Sequence, residues 1–449
     1  MQKTVVIDVV GLSTSVIGEH TPFLKKYIAE RHIQTISPML PAVTTAVQST
    51  YVTGKTPTEH GIVGNGWYDR DDCEVKFWKQ SNKLVQGEKI WDAAKKLDPN
   101  FTCSKMFWWY NMYSSADYSL TPRPNYLADG RKLPDCYSHP AELRDELQEK
   151  LGQFPLFQFW GPGANIKSTR WIADASMLTD DKYDPTLTLI YLPHLDYCLQ
   201  KFGPDFSKIS KELLEVDKVI EDLVTFYEKK KAKIIILSEY GIAPVSQPIH
   251  LNRILRENGL LQIRIERGLE LLDAGASKAF AVADHQIAHI YINDASSKEQ
   301  VKQILEATAG VELVLDKQEQ AAYGIDHERS GDFVVMAKEG AWFTYYFWLD
   351  DAKAPDYARS VDIHKKPGYD PVEMFMTSKA RAGYKLMRKK LGFRYVMDVI
   401  PLDASLIKGS HGRINCGKEY APVMITDERY NEGEVSATDV FGIIWKHLM

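Results

Sequence analysis

The stretch Pro38-Met-Leu-Pro-Ala-Val-Thr-Thr-Ala-Val-Gln-Ser-Thr-Tyr-Val-Thr-Gly-Lys-Thr-Pro-Thr-Glu-His-Gly-Ile-Val63 decides how this chain is read. It places Thr44 at or just before the start of a helix that ends near Gly54. Upstream, Thr4–Val10 is a near-continuous β-branched run containing Asp8, as expected of a strand covered on both faces. An amphipathic segment around Phe23–Glu30 and a short strand near Ile33–Ser37 lie between. Further along come the strand-like Cys103–Phe107 and a helix over Ala141–Leu151, with Ser138 as N-cap and Pro140 in its first turn. A helix at Ser168–Leu178, a strand at Leu187–Leu192, a helix over Phe206–Glu228 and a strand at Lys233–Ser238 complete the alternation. This pattern predicts an α/β fold: a mostly parallel central sheet with helices on both faces. Ligands of such sheets collect beyond the carboxyl ends of the strands, where Asp8, Asp196 and Glu239 all fall.

From about Glu270 to Pro371 the pattern turns strand-rich and irregular, with Ala288–Ile292, Asp332–Ala337 and Trp342–Phe347. We read residues 270–371 as a smaller α+β lobe inserted into a catalytic domain formed by 1–269 and 372–449. Ser378–Leu391 is helical, His411 sits in the glycine-flanked Gly409-Ser-His-Gly, and a strand at Val423–Thr426 and a helix from Ala437 close the chain.

The 449 residues are enough for a large core, and 44% hydrophobic with 26% charged residues is ordinary for a globular protein. A net charge of −5 leaves no footprint for nucleic acid. Lys229–Lys231 reads as the solvated, dipole-compatible end of a helix. The five cysteines are scattered with no C-x-x-C pair, so neither a disulfide framework nor a thiolate zinc site is signalled. There is no signal-peptide pattern and no membrane span, so the expectation is a cytoplasmic protein with no membrane partner. The oligomeric state cannot be read from these residues.

A hydroxyl at Thr44 among Asp8, Asp196, Glu239 and His411 is the set that metal-dependent phosphoryl transfer needs, because a metal lowers the hydroxyl pKa and neutralises the phosphoryl oxygens. Each residue alone has a plainer reading: Thr44 as a helix cap, Asp8 as a polar strand end, Glu239 as a sheet-edge side chain. Their joint order favours the site. Residues 1–68, 186–243 and 400–426 resemble the nucleotide pyrophosphatase/phosphodiesterase branch of the alkaline phosphatase superfamily, most specifically through Pro38–Val63, which runs through that family's T-G-x-x-P-x-x-H-G-I. The resemblance implies that Thr44 is the nucleophile and that Asp8 holds one of two divalent ions, usually zinc. It implies that Asp196 and His411 hold the other.

The departures bear on the metal. Gln200 stands where the family has a histidine, and Glu239-Tyr240 where it has Asp-His. Tyrosine, with a reference pKa of about 10, is a poor ligand near neutrality. An oxygen-rich site shifts the expected ion from zinc toward Mn²⁺ or Mg²⁺. If Leu192-Pro-His-Leu-Asp stays extended, His194 shares a face with Asp196 and either becomes a replacement ligand or orients Asp196. Asp284, His285 and His289 form a further cluster, and His289 alone reads as a satisfied half-buried histidine. His364 lies in a polar loop-like stretch from which it could face substrate. The family's phosphate-binding asparagine position is Val47 here, leaving Asn65 and Asn111 as candidate donors. The expected function is hydrolysis of a small phosphodiester or nucleotide-pyrophosphate-like ester. The competing readings are a binding or regulatory protein with a degenerate site, and a phospho- or sulfo-transfer enzyme of the same superfamily.

Overall fold

A computed structural model describes residues 1–449. Its centre is a nine-stranded sheet. From one edge to the other the strands are Val435–Ser436, His32–Ser37, Val423–Thr426, Lys233–Leu237, Thr4–Val9, Leu187–Leu192, Cys103–Met106, Tyr118–Pro122 and Cys136–His139. Five of the eight neighbouring pairs are parallel; Val423–Thr426 runs antiparallel to both neighbours, and Cys136–His139 to its one. The α/β fold with a mostly parallel sheet is therefore present, closed on both sides by antiparallel additions.

The first strand shows why the sheet is covered twice. Val5, Ile7 and Val9 enter one core with Leu213, Val216 and Ile220 of the Phe206–Lys229 helix. Val6 enters another with Tyr51, Val52, Ile443 and Leu448. Successive side chains of a strand point to opposite faces, so an unbroken apolar run can only be satisfied between two layers. Asp8 has the parity of Val6 and faces the Thr44–Thr53 helix. That helix stops at Gly54, whose φ of 66° lies in the left-handed region where glycine carries no steric penalty.

A second, antiparallel sheet in the order Ala279–Asp284, Ile287–Ile292, Phe333–Ala337, Val311–Leu315 lies within the strand-rich part of the chain. The Ala141–Leu151 helix has the expected bounds, but Pro140 itself is its N-cap position, and Ser138 Oγ instead accepts from the Arg144 N–H at 2.9 Å. No helix is long and apolar enough to cross a membrane.

Candidate functional site

Thr44 is the first residue of a ten-residue helix, preceded by the extended Val43, so its hydroxyl stands where helix amides lack carbonyl partners. The Thr44 hydroxyl lies 3.0 Å from the Tyr240 hydroxyl, and Tyr240 in turn donates to Asp196 Oδ1 at 3.2 Å. One turn down the helix, the Gln48 amide donates to Asp8 Oδ2 at 3.2 Å and to Glu239 Oε1 at 2.6 Å. Its carbonyl accepts from the Trp109 N–H at 2.7 Å, which fixes the amide's orientation. The parallel register sets Asp8 opposite Leu237, two residues before Glu239, so both carboxylates reach the same sheet end.

Asp196 is held by Gln200, whose amide donates to Oδ2 at 2.7 Å from one helical turn away. The Gln200 carbonyl accepts from the Tyr369 hydroxyl at 3.1 Å. His411 stacks on Tyr240 with ring centroids 3.5 Å apart, and His285 lies between His411 and Tyr369 at 3.7 Å from each. His411 Nδ1 is 2.8 Å from the Ala42 carbonyl, and His285 Nδ1 is 2.9 Å from Asp284 Oδ1. Each acceptor calls for the proton on Nδ1, leaving an Nε2 lone pair, and both Nε2 atoms are buried without a partner.

Burial dominates the electrostatics. It pushes Asp8 up to about 7, against the lowering influence of the neighbouring Glu239 carboxyl and of the Gln48 amide. It pushes Asp196 up to about 7, against Gln200 and Tyr240 and with the Glu239 charge adding to the rise. Glu239 is raised by burial and then by the Asp8 charge. Burial holds His285 and His411 well below the usual histidine range, so both are neutral.

These atoms test the fit of a metal. Asp8 Oδ1 and Glu239 Oε2 are buried and unpartnered, so an oxygen-ligated divalent ion fits beside them and Thr44. Both Asp196 oxygens already accept hydrogen bonds, and His411 Nε2 stands 3.7 Å from Oδ1. An ion there requires Gln200 and Tyr240 to release Asp196, so that pair as built does not fit one.

His194 is a correction. The extended stretch ends at Leu192, and a helix begins at His194 itself. Two residues along a helix turn about 200°, so His194 and Asp196 point apart. His194 Nε2 lies 2.7 Å from Glu212 Oε2, and together with Glu215 these residues place ligand atoms within 4.8 Å of one another, away from Thr44. Asn111 is also displaced from its expected role: its amide donates to the Lys105 and Leu120 carbonyls at 3.1 and 2.8 Å inside the fold. Asn65 does reach the site. Its carbonyl oxygen accepts from the Thr45 N–H at 3.1 Å, while Asp284 holds its backbone and amide N–H groups at 2.8 and 3.1 Å. His289 contacts the Val63 carbonyl at 2.9 Å and accepts from Gly331 at 3.1 Å, the satisfied-histidine reading.

A cavity of about 1350 Å³ opens onto Thr44, Asp196, Tyr240 and His285, and His364 lines it. Sequence reading missed Gln48 and Tyr369. Gln48 was signalled by its spacing of four from Thr44; nothing local signalled Tyr369.

A model of the type I phosphodiesterase / nucleotide pyrophosphatase family matches residues 4–370. An uncharacterized pyrophosphatase/phosphodiesterase of Schizosaccharomyces pombe is 29% identical over 231 residues, covering 49% of this chain and 40% of its own. Ectonucleotide pyrophosphatase/phosphodiesterase 2 of Saccharomyces cerevisiae is 24% identical over 267 residues, 54% of this chain and 48% of its own. The chain thus spans less than half the length of the curated relatives it matches. Murine ectonucleotide pyrophosphatase/phosphodiesterase 5, as an inactive variant with AMP, superposes over 100% of this chain and 95% of its own with a TM-score of 0.60 at 15% identity. Phosphonoacetate hydrolase from Sinorhizobium meliloti, with phosphonoformate, does so over 100% and 96% with a TM-score of 0.62 at 15% identity. At that identity the structural likeness speaks for the fold alone.

Proposed function

Because the chain belongs to the type I phosphodiesterase / nucleotide pyrophosphatase family, within the alkaline phosphatase superfamily, we propose that it hydrolyses a small phosphate ester through Thr44. The observation that carries this reading is the Thr44 hydroxyl: it begins a helix, faces a large cavity and touches Tyr240, which touches Asp196.

As Thr44 Oγ attacks phosphorus, its proton passes to the Tyr240 oxygen while Tyr240 gives its own to Asp196. A carboxylate raised to about 7 is a competent base near neutrality. The bond from Thr44 to phosphorus forms as the bond to the leaving oxygen breaks, and that oxygen departs as an alkoxide and takes its proton from solvent in the cavity. Water then cleaves the phospho-threonine: its oxygen bonds phosphorus as Thr44 Oγ leaves and regains a proton through Tyr240 from Asp196, and the neutral His285, which lines the cavity, is the acceptor for the water proton. Asn65, pinned by Asp284, holds the helix start in place. Asp8 and Glu239 with Thr44 would hold a divalent ion, which supplies charge neutralisation for the hydroxyl and the phosphoryl oxygens.

The test is turnover of bis(p-nitrophenyl) phosphate by chelated and by Mn²⁺-, Mg²⁺- or Zn²⁺-loaded protein, with intact-mass analysis. Wild type should turn over with an added ion and show a trapped phosphoryl adduct, and Thr44→Ala should do neither while remaining folded. Retained turnover in Thr44→Ala would remove the covalent mechanism. A second reading, ester binding without turnover, is favoured by the hydrogen bonds that Gln48, Gln200 and Tyr240 give the three carboxylates. It predicts that wild type and Thr44→Ala bind the ester alike and neither cleaves it.

A further inference from the structure

The segment Met376–Val399 stands apart from the rest of the surface. It contains the helix Lys379–Lys390 and the turn after it. Six large apolar side chains there are more than half exposed: Tyr384, Leu386, Met387, Leu391 (65%), Phe393 (58%) and Val396. With Met376 they make seven of the 18 exposed large hydrophobics in the whole chain, and Tyr126 and Phe157 extend the patch around the same cavity mouth. Folding normally leaves such residues scattered; gathered together they mark a surface that meets something apolar.

The same segment is strongly basic. It carries Lys379, Arg381, Lys385, Arg388, Lys389 and Lys390, then Arg394, against the single carboxylate Asp398, in a chain whose net charge is −5. Cations at a helix C-terminus have a local explanation in the helix dipole, which accounts for Arg388, Lys389 and Lys390. The dipole disfavours cations in the first turn; Arg381 there is held by Asp398, but Lys379 has no such local explanation. Asp398 is taken by Lys385 and Arg381. The remaining cations have no carboxylate partner in the segment.

We propose that Met376–Val399 docks this protein onto an anionic lipid surface. A helix end and the turn after it, with exposed apolar tips set among long cationic side chains, suit the lipid headgroup boundary: the tips bury, and the ammonium and guanidinium groups reach the phosphates along their own methylenes. A second copy of this chain is the poorer occupant, because two such faces, each with seven cations and one carboxylate, would set a net charge of +6 against +6. The absence of a membrane-crossing helix, which prompted the expectation of no membrane partner, does not bear on attachment of this kind. Leu386, Lys389, Phe393 and Val396 also line the cavity that reaches Thr44, so docking would turn the cavity mouth toward the surface.

The experiment is co-sedimentation of the full chain with phosphatidylcholine vesicles and with vesicles containing about one third phosphatidylserine. Binding is read without turnover, so it stands or falls separately from the proposed hydrolysis. Wild type should bind the anionic vesicles, and salt should weaken binding. Each basic residue near such a surface is worth roughly fivefold, so Lys379→Glu/Lys390→Glu/Arg394→Glu should weaken binding at least a hundredfold. Leu391→Ser/Phe393→Ser should weaken it with its charge unchanged. Unchanged thermal melts verify that both variants fold. The proposal is overturned if wild type ignores anionic vesicles at low salt, or if the charge variant binds them as wild type does. It is equally overturned if sedimentation equilibrium shows a dimer that the Leu391→Ser/Phe393→Ser variant dissolves, or if an acidic polypeptide binds the segment and vesicles do not.

Discussion

Tyr240 decides more of the site chemistry than its residue type suggested. Judged as a metal ligand it is a loss, since burial and the neighbouring Asp196 charge raise its phenol far above the usual range and keep it protonated. Judged as a hydroxyl it is the link between Thr44 and Asp196, at 3.0 and 3.2 Å. Tyr240→Phe keeps the ring stacked on His411 and removes only that link. If Tyr240 relays the proton, kcat for the diester should fall by about 10²- to 10⁴-fold, the usual worth of a positioned acid–base group, with KM little changed. An unchanged kcat would reduce Tyr240 to packing. Such a bridge was not legible in the sequence, because it joins residues 196 positions apart; Asp8, Thr44 and Glu239 were legible because each sits at the predicted end or start of an element.

At the level of elements, the loop that carries His364 and Tyr369 is held by a buried ion triad. Lys366, 1% exposed, lies 2.6 Å from Asp370 Oδ2 and 2.7 Å from Glu373 Oε1, and Glu373 also accepts from the Asp362 N–H at 2.9 Å. Tyr369, inside this clamp, stacks on His285 and bonds Gln200, so the clamp positions one wall of the site. Breaking a buried pair strands a desolvated charge, which costs about 3–5 kcal/mol. Lys366→Met should lower the unfolding free energy by that order, read as a lower urea midpoint at an unchanged m-value. A loss under about 1 kcal/mol would mean that the surrounding aromatic packing, and not the triad, holds the loop. The neighbouring misreading has a similar local cause: Pro193 permits either a continued extended chain or a helix start, and the structure has the helix, which sent His194 toward Glu212.

Over the whole molecule, the buried carboxylates couple stability to pH and, on the proposed function, to a metal. Asp8 rises from 3.8 in the unfolded chain to about 7 in the fold. The folded state therefore binds its proton more tightly, and the stability that this supplies is present below about pH 3.8 and lost as pH rises through about 7. At about pH 8 without a metal, the ionised Asp8 is a burden of up to roughly 4 kcal/mol at ~1.4 kcal/mol per pKa unit. Asp8→Asn should therefore melt above wild type at pH 8 in chelator, and the difference should vanish near pH 4. Added Mn²⁺ should reverse the order at pH 8, because the ion stabilises only the chain that keeps the carboxylate. If Mn²⁺ shifts both melts equally, Asp8 is not a ligand.

The sequence by itself determined the layered α/β architecture. Strand and helix periodicities are local, and an unbroken apolar strand such as Thr4–Val9 has no solution except between two layers. It also singled out Thr44, Asp8, Asp196, Glu239 and His411 as candidates, three of them from the ends of neighbouring strands, and the fold brings the five together. Only the tertiary structure decided what surrounds those residues. Gln48 bridging two carboxylates, His285 and Tyr369 stacking from distant segments, and Asn111 turned inward all depend on side-chain directions and long-range pairings. Beyond the one-turn spacing of Gln48 from Thr44, neither has a signature in neighbouring residues.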